Sequence, residues 1–500
     1  MNVVRRWALG WGLGAAIMLS GCMVGPDYER PETPADTATR FLHAELQRSD
    51  ANDAMPMDRW WEHFGDSVTR DLVREALASN HDLRATAARV LQAQATLAES
   101  RGRLWPEVSY GLTRNRSKSY FDLGEGGQAL VITDPNTGAP LFELGGFGGA
   151  FSPLTTTWSQ NISVSYLVDF WGKLRRAKRA SWADMLAAEA NRQALVNSTV
   201  ATVIQARIDI ATAQRRLALA QANTESRQQT FDITERRYRG GLVGPVDVRL
   251  AAANLEQSRA QESEAQLSLA RARSALDVLL GRQPGASERL PQTLPDLPEL
   301  TPVPVGVPAA LLDRRPDVRA AEFSLWAANE RIGASIAQLY PDLTLTGSYG
   351  ASGSEWENIW DRDFEVYSAI TNLAAPIWKG GQIRAQIQAA KARYEEQAAA
   401  YAGTVLRAMQ EVEDALASEQ WLHVQIKQRS RQFEESKAAE ELSRRRYERG
   451  VESLLTVLEA ERNRRIAEET LTILKGQIWA TRVNLHLALG GDWAGANEAK

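Results

Sequence analysis

"WSQNISVSYLVDF" (residues 158–170) sets Trp158, Ile162, Val164, Tyr166, Val168 and Phe170 against alternating Ser and Asn. A period of two predicts a β-strand with one apolar and one polar face. The chain that follows is of another kind. From Lys173 to Arg239 it contains neither proline nor glycine. At 1.5 Å per residue, that run predicts a single helix roughly 100 Å long. The fold has to accommodate both a two-faced strand and a helix of that length.

Reading outward gives one plan. Upstream, residues 67–103 are rich in Ala, Leu, Arg and Gln and predict a helix stopped at Pro106. "EVSYGLT" (107–113) then predicts a strand with Val108, Tyr110 and Leu112 on one face. Downstream, the turn "GGLVGP" leads into a helix over about residues 247–280. The plan then recurs. "DLRATAARVLQAQATLAESRGRLWPEV" (82–108) matches "DVRAAEFSLWAANERIGASIAQLYPDL" (317–343) at an offset of 235, with Asp82, Arg84, Leu104 and Pro106 falling on Asp317, Arg319, Leu339 and Pro341. "RRYRGG", ending at Gly241, matches "RRYERG", ending at Gly450, at an offset of 209. The first copy therefore holds 26 more residues (235 less 209), the length of the Gly-rich stretch 124–149, which reads as a long loop at a hairpin tip. The second copy supplies the strands "DLTLTGSYG" and, less cleanly, "VYSAITNLAAPIW", a helix over 381–449 and another over 456–489. Seven prolines between Pro284 and Pro308 make the stretch between the copies an extended linker.

These observations divide the chain into a signal peptide (1–21), an N-terminal segment (22–66), a first repeat (67–281), a linker (282–312), a second repeat (313–490) and a tail (491–500). The signal peptide follows from Arg5 and Arg6, an uncharged run from Trp7 to Leu19, and small residues at its end. That run is short of the roughly 20 residues a spanning helix needs. Leu19-Ser20-Gly21-Cys22 resembles the bacterial lipobox, in which the Cys thiol receives a diacylglycerol. Cys22 is the only cysteine, so no intrachain disulfide competes for it. The residue after it is Met23, not Asp, and the expectation by analogy is the outer membrane.

The formal charge is −4, or −6 once Arg5 and Arg6 are removed, which argues against a nucleic-acid partner. No uninterrupted 18-residue apolar run follows residue 22, so any crossing other than the lipid must be a β-barrel. Fifteen tryptophans suit a membrane interface, and core packing also explains tryptophans. Helices this rich in Ala, Gln and Arg read alone as a solvated coiled-coil rod. The strands argue otherwise. Four strands cannot close, since barrels need about eight. They must combine with strands of other chains, and a polar inner face implies a water-filled pore.

This pattern closely resembles the outer-membrane factor family, the TolC-like exit ducts, and most of all their lipoprotein branch serving resistance-nodulation-division efflux pumps. The residues that carry the likeness are "GCMVGPDYERP" (21–31), "LLDRRPDVRAAE" (311–322), "RRYRGG" and "RRYERGVESLLTVLEAER" (445–462). The resemblance implies a mixed α and β, internally duplicated fold. It implies that each chain of a homotrimer gives four strands to a 12-stranded outer-membrane β-barrel, above a long α-helical periplasmic barrel. It implies no enzymatic activity and no cofactor other than covalent lipid on Cys22. The partners it implies are outer-membrane lipid, a periplasmic adaptor (membrane fusion protein) and an inner-membrane pump.

The resemblance also places the site. Two helix-turn-helix tips would dock the adaptor: Gly240, Gly241, Leu242 and Val243, and Gly450, Val451, Glu452 and Ser453. Leu455 and Glu459, one helical turn apart, match the family's apolar ring and carboxylate ring at the gate, and Asp247 matches a carboxylate at the first tip. The family usually has Asp where Glu459 stands. Glu452 occupies a position that is basic in TolC-type members, so a basic gate-locking contact has no residue there. Glu459 also reads as a surface partner of Arg462 or Asn463, and Asp247 as a helix N-cap. The five histidines are scattered, and no G-x-S-x-G, P-loop or Cys/His metal pattern occurs. A protein-secretion duct and a structural coiled-coil periplasmic lipoprotein are the rival readings. Duplicated strand pairs argue against the second.

Overall fold

The computed structural model describes residues 23–43, 67–122, 130–133, 140–144, 150–152, 154–286 and 308–491. The signal peptide, Cys22, most of segment 22–66, the Pro-rich core of the linker and the tail beyond residue 491 lie outside them. The chain forms two compact units. The first comprises residues 1–26, 98–179 and 330–390, and the second residues 27–97, 180–329 and 391–500.

The first unit holds a four-stranded antiparallel sheet. Its strands, in spatial order, are β1 (Glu107–Lys118), β6 (Leu154–Val168), β7 (Asp342–Gly353) and β8 (Glu365–Ala374). The register aligns like with like. Ser109, Ser163, Ser348 and Ser368 form one row across all four strands, and the next row is Tyr110, Ile162, Tyr349 and Tyr367. Serine hydroxyls meet in pairs, Ser109 with Ser163 at 2.7 Å and Ser348 with Ser368 at 2.8 Å. Alternation thus gives the sheet one hydroxyl-bearing face and one apolar face. β8 breaks the pattern, because Val366 and Ile370 share the serine face. This is the irregularity that made its sequence the least clean of the four.

The stretch expected to be a loop, 124–149, contains strands. β3 (Leu130–Thr133) pairs with β4 (Pro140–Leu144). Just before and after the stretch, β2 (Phe121–Asp122) pairs with β5 (Ala150–Phe151). The run Leu-Val-Ile-Thr has strand-forming side chains, which the surrounding glycines obscured in the sequence.

The N-terminal segment is fixed to this unit within a few residues of Cys22. The Val24 N–H donates to the Trp171 carbonyl (3.1 Å), and the Gly25 carbonyl accepts from Arg176 (3.3 Å). Arg176 also pairs with Glu330 at 3.0 Å, with both side chains almost fully buried. Gly25 has φ +101°, and a Cβ there would sit 2.5 Å from the Gly333 Cα.

The second unit is helical. Its residues come from α1 (Pro34–Thr37), α2 (Ser67–Ser79), α3 (His81–Gly102), α4 (Lys173–Arg239), α5 (Pro245–Leu279), α6 (Ala310–Arg314), α7 (Pro316–Ala337), α8 (Gln382–Glu448) and α9 (Leu454–Ala488). α4 and α8 are each 67 residues long, α5 and α9 each 35, and α3 and α7 each 22. The predicted helix over 67–103 is two helices, broken at Asn80. The Asn80 Oδ1 accepts from the Asp82 and Leu83 N–H groups, capping α3, while its Nδ2 donates to the Leu279 carbonyl at the end of α5 (2.9 Å). Arg315 plays the matching part before α7. It donates to the Ala488 carbonyl at the end of α9 (3.0 Å) and pairs with Asp317 at 2.7 Å. Burial by itself would raise the Asp317 pKa, but the Arg315 hydrogen bond holds it below the usual carboxylate value. Both α5 and α9 are followed by a glycine with positive φ, Gly281 and Gly490. A Cβ at either would press on a backbone carbonyl, of Ser79 or Arg314.

Gly25→Ala cannot fit without moving the N-terminal segment, since both its φ and its neighbour forbid a Cβ. Amide exchange at Val24 should accelerate at least about tenfold, equivalent to ~1.4 kcal/mol. Unchanged Val24 protection in the variant would contradict this placement.

Candidate gate and docking tips

The two turns of the second unit use the same backbone device. Two residues beyond the last residue of α4 stands Gly241 (φ +73°), and two beyond that of α8 stands Gly450 (φ +78°). The Leu242 N–H reaches the Arg237 carbonyl (2.9 Å), and the Val451 N–H reaches the Arg446 carbonyl (3.0 Å). These 6→1 bonds close each helix with a left-handed glycine. The tips then start the next helices differently. Ser453 caps α9, its Oγ accepting from the Thr456 N–H (3.2 Å). At α5 the cap is Gly244, and Asp247 is not the N-cap. It occupies the third helical position and reaches back to accept from the Gly244 N–H at 3.3 Å.

Around the tips, Ala251, Tyr447, Leu454, Val457 and Leu458 form a small core against Phe231 and Ile233. Leu242, Val246, Val451 and Leu455 stay outside it, with Leu455 at 69% exposure. Leu455 and Glu459 line one side of a cleft of ≈ 200 Å³, facing Leu250 and Asn254 of α5. Asp247 is not among the cleft residues. Glu459 pairs with Arg462 at 2.6 Å and touches Asn463 at 3.5 Å, so the surface pairing foreseen for it is realised within one chain. Glu452 pairs with Arg446 at 3.2 Å.

Sequence reasoning missed the buried charges that adjoin this cleft, of which Arg227 lines it. Glu461 is 3% exposed. It faces Arg227 at 2.5 Å and Arg444 at 3.2 Å, and it accepts from the Thr230 hydroxyl at 3.0 Å. Arg444 continues to Glu440 (2.9 Å), which also meets Arg464. Burial pushes the Arg227 guanidinium below the usual arginine value, against the opposing charge of Glu461. The only available signal was a carboxylate two residues beyond Glu459, on the opposite side of the helix.

The family model described as "Outer membrane efflux protein" matches residues 72–282 and 307–491. The chain belongs to the outer membrane efflux protein family. The protein named outer membrane protein OprJ, of Pseudomonas aeruginosa, is 32% identical over 479 residues, covering 96% of this chain and 94% of the relative. The cation efflux system protein CusC of Escherichia coli is 28% identical, with 96% and 97% covered. The solved outer-membrane channel OprN is 27% identical and superposes with a TM-score of 0.81, covering 94% of this chain and all of that one. The outer membrane efflux family consists of outer-membrane channels, and this chain is a helix-rich outer-membrane channel protein, not an enzyme.

Glu461→Gln leaves Arg227 buried without its counter-charge. Removing one partner of a buried pair costs about 3–5 kcal/mol. The thermal midpoint of the helical signal should fall by several degrees, and a midpoint unchanged from wild type would show the network to be dispensable.

Proposed function

We propose that this protein is the exit duct of a tripartite efflux pump, carrying small molecules from the periplasm to the exterior. The observation that carries the reading is the sheet of the first unit, with its serine row on one face and its apolar row on the other. β1 and β8 are its open edges. In lipid an open edge leaves backbone groups unsatisfied at several kcal/mol each. Three copies closing edge to edge give a 12-stranded barrel with lipid outside and hydroxyls lining water.

The chain is internally duplicated in this reading. Matched helix lengths, and the equivalent parts played by Asn80 and Arg315, support it. Diacylglycerol on Cys22 anchors the chain, and the intact mass of membrane-extracted protein reads that directly. The helices form the periplasmic tunnel. Its tips, Gly240 to Val243 and Gly450 to Ser453, receive the adaptor, which joins the duct to an inner-membrane pump. The names of the relatives, one a cation efflux protein, favour efflux over protein secretion. Leu455, Glu459 and Asp247 narrow the tunnel's inner end. Rings of carboxylates make cation-selective constrictions.

Planar-bilayer recording of the purified protein tests the gate. Leu455→Ala should raise conductance by widening the apolar ring. Glu459→Gln should shift the reversal potential in a salt gradient toward weaker cation preference, with conductance little changed. If both readings match wild type, Leu455 and Glu459 do not line the gate, and Glu459 is the surface partner of Arg462.

A further inference from the structure

β1 presents Val108, Tyr110 and Leu112 on the apolar face of the sheet and then, in the same alternation, Arg114, Arg116 and Lys118. All three cations are exposed, and none forms an ion pair among the described residues. The Arg114 guanidinium lies 5.2 Å from the ring centre of Trp158, its cross-strand neighbour on β6. Trp158 meets Trp356 edge-on at 5.0 Å, and Trp356 meets Trp360 at 6.1 Å. Arg116 and Lys118 lie further along the same face, opposite Thr156 and Leu154.

The level of this cluster is set by the strands. On β6 the lipid-side face runs from Val168 to Trp158, about 33 Å along the strand at ~3.3 Å per residue, and its one polar member, Gln160, is hydrogen-bonded to the Ile359 carbonyl and the Tyr110 hydroxyl. A tilt of about 40° reduces that to a height of about 25 Å, the height of the apolar band of an outer-membrane barrel. Trp158 and its indole neighbours therefore stand at one interface of the band, where such rings collect. The hairpin loops here are at the end away from the long helices in sequence, which makes this the outer interface. Arg116 and Lys118 then project where headgroups begin. Cations are poorly tolerated on a lipid-facing surface except at this depth.

We propose that Arg114, Arg116 and Lys118, with Trp158, bind the phosphates of the outer-leaflet glycolipid, the lipid A part of lipopolysaccharide. The guanidinium forks of Arg114 and Arg116 suit phosphate oxygens, and the Lys118 ammonium adds a point charge. The indole of Trp158 beside Arg114 packs against the lipid at the edge of its acyl region. The inference rests on the proposed barrel with its apolar face in lipid. The rival occupant is another copy. Glu365 begins β8 on the same face, where it accepts from the Tyr349 hydroxyl (2.8 Å), and a neighbouring β8 beside β1 would offer that carboxylate to these cations.

The test uses the full-length protein purified in mild detergent, titrated with diphosphoryl lipid A or with the same lipid dephosphorylated, bound lipid being counted by native mass spectrometry. Wild type should prefer the diphosphoryl form. The triple variant R114Q/R116Q/K118Q should bind it at least about tenfold more weakly, each cation near an anionic surface contributing about a fivefold factor. The variant should still conduct in planar bilayers. Equal binding of the two lipids, or equal binding by the variant, overturns the inference. So does unchanged lipid binding together with a loss of oligomer stability that Glu365→Gln reproduces, which would assign the cations to a seam between copies. Absence of conductance from wild type would instead overturn the barrel reading itself.

Discussion

A sheet of four strands has two edges, and in this chain the edges are β1 and β8. Everything about the first unit depends on how their backbone groups are satisfied. In water, an edge strand with charged side chains is a tolerable arrangement. In hydrocarbon it is not, because no solvent donor or acceptor replaces the missing partner. Two faces of opposite chemistry sharpen the constraint. The row of Ser109, Ser163, Ser348 and Ser368 is wasted against lipid, and the row of Tyr110, Ile162, Tyr349 and Tyr367 is wasted against water. A closed barrel shared among copies satisfies edges and faces together.

The helical unit has its own constraint, the free carbonyls at the ends of long helices. The carbonyls at the ends of α5 and α9 are met by side chains one residue before α3 and α7, those of Asn80 and Arg315. The following glycines, Gly281 and Gly490, let the backbones approach closely enough for those bonds. At the tips the solution differs. Glycine closes the outgoing helix, and Asp247 or Ser453 satisfies the start of the returning one. Asp247 is thereby tied to its own helix, and a lumenal role has to be compatible with that hydrogen bond.

Much of this was legible in the chain. The strands declared themselves by their period of two, the first long helix by the absence of proline and glycine over 67 residues, and the second by repeating the plan of the first. Asn80, a favoured N-cap residue, was passed over because the Ala- and Leu-rich pattern resumes on both sides of it. Its local cap on α3 is joined by a tertiary hydrogen bond to Leu279, more than 190 residues later in the chain. β3 and β4 were hidden because glycine-rich flanks outweighed four strand-forming residues. At the gate, the spacing of Leu455 and Glu459 was enough to place them on one face. The buried Arg227–Glu461–Arg444 cluster was not, since it needs three helices brought together.

The claim on which the rest depends is that the sheet closes only with other copies of the same chain. Light scattering of the lipidated protein in mild detergent, with the detergent contribution subtracted, measures it most directly. A mass of three chains, with the β-sheet signal intact, is the expected result. A monomeric mass with that sheet still folded would contradict it.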